Sequence, residues 1–290
     1  MPALLALLAS LLWGTADFLG GTATRRLPVA SVVGISQLVA LLGLLPVAVL
    51  LGALDEPRDY LLPGLAAGSA GVVALAAFYR ALAVGTMGVV APVAALGVVV
   101  PVAAGLVQGE SPSWLQLVGI AVAVTGVVLA SGPELSGQDR GGVLPLVLGG
   151  VAALGFGTVF VLIAQGTASG SIGSVVMTLL TMRLVSVLLL AGLLPAVVLR
   201  SALPWRRVDI GVRRADLPVL VAIGAFDVGA NAAFALAVQS DLISVTAVLA
   251  SLYPVVTVLL ARQVHSERLV GVQLPGVVLA LTGVVLLAAG

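Results

Sequence analysis

Four ionisable side chains lie within long apolar stretches of this sequence: Asp17, Arg80, Arg183 and Asp227. An apolar surrounding favours the uncharged form of a carboxylic acid, so a buried aspartate can take up and release a proton. An arginine can bind a carboxylate through two parallel N–H bonds. These residue types in such surroundings therefore predict ion pairing, proton transfer or the binding of a charged ligand.

The first aspartate, Asp17, follows Trp13 by four residues, so both side chains share one face of a helix. An acid beside an indole ring can carry a coupling proton or bind a cation, which the ring also attracts. The alternative is an interfacial aspartate near a helix end that pairs with Arg25 or Arg26. We expect Asp17 and Trp13 to belong to a binding site.

The second aspartate, Asp227, has Asn231 one turn further along the chain, and together they form a polar stripe in an apolar segment. A buried carboxylate in this setting suits a proton relay. The alternative is a structural hydrogen bond to a neighbouring helix. Of all positions in the sequence, Asp227 is the one where the residues indicate function most strongly.

Arg80 follows Tyr79 near the end of an apolar segment. Pairing with Asp17 or Asp227 and binding of a substrate carboxylate are both open to it. The alternative is an arginine whose side chain extends to the membrane interface. The complete set of predicted substrate-binding residues is Trp13, Asp17, Tyr79, Arg80, Asp227, Asn231, Phe234 and Tyr253.

The composition determines the class of protein. The chain has 61% hydrophobic and only 9% charged residues, with a mean hydropathy of +1.25. Soluble domains carry roughly 25% charged residues, so this chain is predicted to be an integral membrane protein. The sequence has no cysteine and a single histidine, and no G-x-x-x-x-G-K-[ST] motif, so we expect no cofactor, metal site or bound ATP.

A membrane-spanning helix needs about 20 mostly apolar residues. Ten segments of the sequence meet this requirement. They are 3–24, 29–52, 61–84, 86–108, 113–131, 143–164, 172–199, 217–238, 242–262 and 269–289. Two prolines, Pro92 and Pro254, are predicted to bend their helices because proline lacks the backbone N–H that a helix needs.

An internal duplication divides these segments into two groups of five. Residues 116–129 read QLVGIAVAVTGVVL and residues 273–286 read QLPGVVLALTGVVL, and Glu110 and Glu267 lie at the same offset. We predict repeats over 1–131 and 143–290, joined by a linker at 132–142. Because five is odd, the second repeat must cross the membrane upside down relative to the first. The predicted fold is an all-α membrane protein with ten transmembrane helices in two inverted five-helix repeats.

The distribution of arginines predicts an orientation in the membrane. Loops after odd-numbered segments contain nearly all of the loop arginines, whereas loops after even-numbered segments contain only Arg58. The positive-inside rule then places the odd loops in the cytoplasm and both termini outside. The two hairpin acids, Glu110 and Glu267, are expected to cap the helix that follows each of them.

Several motifs together resemble a known family. They are Trp13-Gly14, Tyr79-Arg80-Ala81-Leu82, Ser251-Leu252-Tyr253-Pro254, the hairpin glutamates, and Thr282-Gly283 before the C-terminus. The chain resembles the EamA type of the drug/metabolite transporter superfamily over essentially its whole length. One departure is Gly97, where the family often has the proline seen at Pro254.

The resemblance implies transport of a small metabolite without naming the substrate. It also matches Arg183 to the family's arginine in the seventh helix, with Gln37 as its first-half equivalent. This implies a peripheral position and a pairing or interfacial role for Arg183. Family members usually keep both termini in the cytoplasm, which conflicts with the arginine count here.

The residues and the resemblance together predict a secondary active transporter in the cell (inner or plasma) membrane, exporting or exchanging a small polar or zwitterionic metabolite by alternating access. Proton coupling would run through Asp227, Asp17 or both. The predicted partners are the small-molecule substrate, H⁺ and the lipid bilayer, without nucleic acid; a monomer is sufficient and a dimer possible. The alternatives are a facilitative carrier or, with the two aspartates as a carboxylate dyad, an intramembrane enzyme.

Overall fold

The structure is a computed structural model that describes residues 1–85, 90, 93–131, 143–200, 211–265 and 271–289. All regular secondary structure in these ranges is helical. The α-helices are α1 (Pro2–Ala23), α2 (Val29–Leu50), α3 (Leu61–Val84), α4 (Val99–Val107), α5 (Trp114–Ser131), α6 (Leu144–Gly166), α7 (Ile172–Arg200), α8 (Leu217–Val238), α9 (Ile243–Ala250), α10 (Tyr253–His265) and α11 (Gln273–Ala289). Short 3-10 turns occupy Ala53–Asp55, Arg58–Tyr60, Leu96–Val98 and Arg214–Asp216.

Six helices in the described ranges are long and apolar enough to cross a membrane, namely α1, α2, α3, α6, α7 and α8. Shorter apolar helices accompany them. Large side chains on the outside of the bundle are apolar, with Leu50 83%, Leu62 76% and Leu4 66% exposed. An apolar exterior around helices that satisfy their own backbone groups is what a lipid environment requires. The chain is a multi-pass membrane protein.

The six long helices coincide within a few residues with the predicted segments 3–24, 29–52, 61–84, 143–164, 172–199 and 217–238. The predicted linker 132–142, Pro92 and Glu267 lie outside the described residues.

The predicted segment 242–262 is not one continuous helix. It breaks at Ser251 and Leu252, where Ser251 N donates to Ala247 O at 2.9 Å to close α9. Pro254 follows directly, as the second residue of α10. Because proline has no N–H, it cannot donate to the carbonyl four residues earlier, which explains why the α9 hydrogen-bond ladder ends here. The helix is therefore interrupted at the position where a bend is predicted.

Close helix packing relies on glycine. The helix α5 packs along α11, α3 along α6, and α1 along α8. A Cβ atom placed on Gly126 of α5 would collide with the backbone of Ala280, and one on Gly283 of α11 would collide with the backbone of Ala123. Helices in lipid gain little from the hydrophobic effect, so close backbone approach through small residues holds them together.

Substitution of Gly126 by alanine tests this contact. We expect Gly126→Ala to lower the stability of the protein by about 1–3 kcal/mol, because an added methyl group has no space between α5 and α11. The measurement is thermal unfolding of the purified protein in detergent.

The matched control is Gly43→Ala in α2, since no atom lies within 4 Å of a Cβ at that position. Alanine favours helix more than glycine does, so this control should unfold at the same or a higher temperature. Equal unfolding temperatures for the two variants would contradict the packing argument.

Candidate functional site

A cavity of about 60 Å³ lies among the long helices. Its wall is built by α1, α2, α3, α6, α7, α8 and α10, and so includes helices from both halves of the chain. The polar side chains that line it are Trp13, Asp17, Gln37, Arg183, Ser186, Asp227, Asn231 and Tyr253. The volume is sufficient for a few water molecules or a small chemical group.

The dominant interaction in this cavity is an ion pair. Arg183 Nη1 of α7 lies 2.9 Å from Asp227 Oδ2 of α8. The Arg183 side chain is 3% exposed and the Asp227 side chain 17%. Removal of two charges from water is costly, and the mutual attraction compensates only when other hydrogen bonds complete the coordination.

The carboxylate of Asp227 has such additional donors. Trp13 Nε1 donates to its Oδ1 at 3.3 Å, and Gln37 Nε2 donates to its Oδ2 at 3.4 Å. Asn231 Nδ2 donates to the same Oδ1 at 3.2 Å and to the Asp227 backbone carbonyl at 2.7 Å. Asp227 therefore links α1, α2 and α7 to α8.

Gln37 bridges the two charged groups. Its Oε1 accepts a hydrogen bond from Arg183 Nη1 at 2.7 Å, while its Nε2 donates to Asp227. Gln37 is 2% exposed, so both ends of its amide are satisfied without water. An amide that accepts from a cation and donates to an anion stabilises both charges of the pair.

Asp17 is the second carboxylate of the cavity, and its surroundings differ. It is buried and lies on the same helix face as Trp13. Within the described part of the chain, no hydrogen bond or ion pair is made by its carboxyl group. The interfacial pairing considered for it does not form, since Arg26 instead lies 3.6 Å from Asp216.

Aromatic rings form one side of the site. Trp13 stacks on Phe160 at a centroid distance of 5.2 Å, and Phe160 stacks on Phe234 at 4.6 Å. Trp13 and Phe160 face the cavity, and Phe234 lies behind them, fully buried. The stack fixes the indole so that its N–H points to Asp227.

Five of the eight predicted site residues line this cavity: Trp13, Asp17, Asp227, Asn231 and Tyr253. Phe234 supports it from behind. Tyr79 does not reach the cavity, because its ring packs against Gly20 of α1. Arg80 is exposed and is not among the residues that line the cavity, and of the roles open to it, pairing with Asp17 or Asp227 is absent from the described residues.

The structure adds Gln37, Arg183 and Ser186 to the site. The peripheral position implied for Arg183 is wrong, because the residue is 3% exposed and lies at the cavity wall. Its predicted pairing role is confirmed by the bond to Asp227. The available signal in the sequence was that Arg183 is the one ionisable residue between Ile172 and Leu199.

The role predicted for Glu110 also needs correction. Its carboxylate accepts from Ile243 N at 2.5 Å and from Ser244 N at 3.1 Å, so it caps α9 and not the helix that follows it. The following helix α5 is capped locally, where Ser113 and Gln116 exchange backbone-to-side-chain hydrogen bonds of 2.8 and 3.2 Å. This reciprocal pair satisfies the N-terminal donors that Glu110 was expected to satisfy.

A solved crystal structure has the same fold, with a TM-score of 0.74 over 98% of this chain and 95% of the other. The two sequences are 18% identical, so this likeness concerns the fold alone. No functionally curated protein matches the chain in sequence.

The family comparison concerns the first half of the sequence. A model of the EamA-like transporter family matches residues 1–132, which include Trp13, Asp17 and Gln37 of the cavity. This family is part of the drug/metabolite transporter superfamily. The first 132 residues of this membrane protein therefore belong to the EamA-like transporter family.

Proposed function

We propose that this protein is a proton-coupled secondary transporter whose substrate site is the cavity around Arg183 and Asp227. The observation that carries the proposal is a buried ion pair in a cavity between the halves of the chain, beside a second carboxylate that has no partner among the described residues. Ionisable groups at this depth are costly to bury and mark substrate or ion pathways. The substrate is a small polar or zwitterionic metabolite, and the protein exports or exchanges it in the cell membrane.

Helix packing supports two inverted repeats of five helices. In these repeats, α1 corresponds to α6 and α3 corresponds to α8. The contact between α3 and α6 therefore corresponds to the contact between α8 and α1, and both contacts are extensive. Exchange of the predicted segments 3–24 and 242–262 for 143–164 and 86–108 also relates two close approaches: Gly14 meets the Tyr253 carbonyl, and Gly157 meets the Gly97 carbonyl. Repeats of this kind permit alternating access, because each half can rock against the other around a central site.

Contacts between loops support the alternation of membrane faces that ten spans require. The loop after α1 meets the segment before α8 through Arg26 and Asp216, at 3.6 Å. The loop after α2 meets the loop after α6, where Ser171 Oγ donates to Glu56 at 2.5 Å. Gln239, after α8, donates to the Thr167 carbonyl at 3.1 Å. Loops that follow odd-numbered helices thus contact each other, and so do loops that follow even-numbered helices.

The positive-inside rule would place the odd loops, with Arg25 and Arg26, in the cytoplasm. Both termini would then be outside.

The two carboxylates have different roles in this proposal. Asp227 keeps its negative charge, because an arginine and three neutral donors surround it. Asp17 has no described donor to stabilise a charge, so it carries the coupling proton. In export, uptake of a proton from outside neutralises Asp17 and releases the substrate, and loss of that proton inside restores the binding form.

The same cavity would also serve a facilitative carrier, in which Asp17 only contributes polarity. The enzyme alternative is less suited to the geometry. A catalytic carboxylate dyad shares one proton between two acids, but the Asp227 oxygens are already bonded to Arg183, Trp13, Gln37 and Asn231.

Replacement of Asp17 separates the coupled transporter from the facilitative carrier. In proteoliposomes screened with radiolabelled amino acids, nucleobases, sugars and quaternary amines, we expect wild-type protein to accumulate one class when a proton gradient is imposed. Asp17→Asn should abolish accumulation against a gradient, because an asparagine side chain cannot take up and release a proton. The variant should still exchange labelled for unlabelled substrate.

The control is Asp59→Asn, which alters an exposed acid outside the cavity and should transport like the wild type. Accumulation by Asp17→Asn at the wild-type level would exclude the proposed coupling role. Failure of the wild type to move any of these classes would count against the transporter itself.

The ion pair gives a second prediction. Arg183→Gln or Asp227→Asn alone leaves one buried charge without its partner, which we expect to cost about 3–5 kcal/mol of stability. The double variant Arg183→Gln/Asp227→Asn has no unpaired charge and should recover most of this loss. Thermal unfolding of the four proteins in detergent gives the coupling energy directly. Additive losses in the double variant would show that the two groups do not stabilise each other.

A further inference from the structure

One edge of the Arg183 guanidinium is unused. Nη1 bonds to Gln37 and Asp227, whereas Nε and Nη2 are buried and have no hydrogen-bond partner among the described residues. The N–H of Nε and one N–H of Nη2 point in the same direction along this edge. Two parallel N–H donors on a planar cation form the fork that accepts both oxygens of a carboxylate.

These unpaired nitrogens need an explanation. The other buried polar side-chain atoms without a partner in the described residues are the hydroxyl oxygens of Thr22, Ser244 and Thr246, which are neutral. A charged donor without an acceptor is costlier to bury than a hydroxyl group. Native structures rarely keep such a group unless a ligand, an ion or water satisfies it at some stage of function.

We propose that this free edge of Arg183 binds the carboxylate group of the transported substrate. The inference rests on the proposed transport function and narrows its substrate to small metabolites that carry a carboxylate. Asp227 and Gln37 hold the opposite edge of the guanidinium, so they fix its plane and the direction in which the free edge points.

The charges in the cavity favour a monoanionic group over a dianionic one. Arg183 is the single cation that lines the cavity in the described residues, and Asp17 and Asp227 are both acids. With a carboxylate on Arg183 and a cationic group of the substrate beside the ionised Asp17, the charges of the site sum to a single negative charge. A dianionic phosphate would add two further negative charges beside these acids.

The free edge is closed in this conformation, since Nε and Nη2 are inaccessible to solvent. A substrate reaches it when the surrounding helices part. Met182 and Ser186 lie next to Arg183 on α7 and line the same cavity, so the edge belongs to a helix that borders the cavity.

The test compares carboxylates with their amides, which have nearly the same shape but lack the second anionic oxygen. The probes are propionate against propionamide and alanine against alaninamide, with proteoliposome flux and thermal stabilisation as readouts. We expect the wild type to prefer each acid over its amide by about ten- to a hundredfold, as for hydrogen bonds to a charged group.

Arg183→Lys keeps the positive charge and the attraction to Asp227 but removes the fork. We expect this variant to lose the preference for the acids through a higher KM, with the amides unchanged. Arg58→Lys, in an exposed turn, should retain the wild-type preference. If Arg183→Lys does not fold, the neutral pair Arg183→Gln/Asp227→Asn provides the same readout.

Three outcomes would overturn the carboxylate site and leave the transporter proposal intact. They are equal handling of acids and amides by the wild type, an acid preference that persists in the Arg183 variants, and flux of uncharged metabolites without any carboxylate flux. Absence of flux for every probe and every metabolite class would overturn both.

Discussion

The bond between Arg183 and Asp227 is the interaction on which the centre of the molecule depends. It joins two helices at 2.9 Å inside a bundle whose other contacts are mostly between apolar side chains. Removal of either partner would leave a charge in surroundings that cannot solvate it. The residues next to the pair are therefore restricted: Trp13, Gln37 and Asn231 all donate hydrogen bonds to the same carboxylate, from α1, α2 and α8.

In the proposed mechanism, this constraint gives the two acids of the cavity different roles. Asp227 is the fixed anion, since its oxygens are occupied by the arginine and by neutral donors. Asp17, one turn after Trp13, has no comparable set of donors among the described residues. A site that needs one fixed and one exchangeable carboxylate can obtain both from the same residue type, because the neighbours of each residue and not its own chemistry determine its behaviour.

The sequence alone was sufficient for what depends on local spacing. Hydropathy located the six long helices, and the four-residue spacings of Trp13 with Asp17 and of Asp227 with Asn231 placed all four residues at the cavity. Proline chemistry indicated the break before Pro254. Contacts between distant segments were beyond such reasoning. The peripheral position implied for Arg183 is wrong, the choice among the roles open to Arg80 could not be made, and Glu110 caps α9 and not the helix that follows it. Which arginine meets Asp227 depends on how α7 and α8 pack, and no periodicity records that.

The Glu110 contact has a mechanical consequence. Its carboxylate fastens the start of α9 to the loop between α4 and α5, while Thr257 of α10 donates to the Gly14 carbonyl of α1 at 3.0 Å. The two short helices are thus attached to different parts of the first half. Any displacement of α1 relative to α5 must be absorbed between the two attachments, and the interrupted backbone at Ser251 and Leu252 is where the hydrogen-bond ladder offers least resistance. Bending at this interruption, beside Tyr253, would change the shape of the cavity directly.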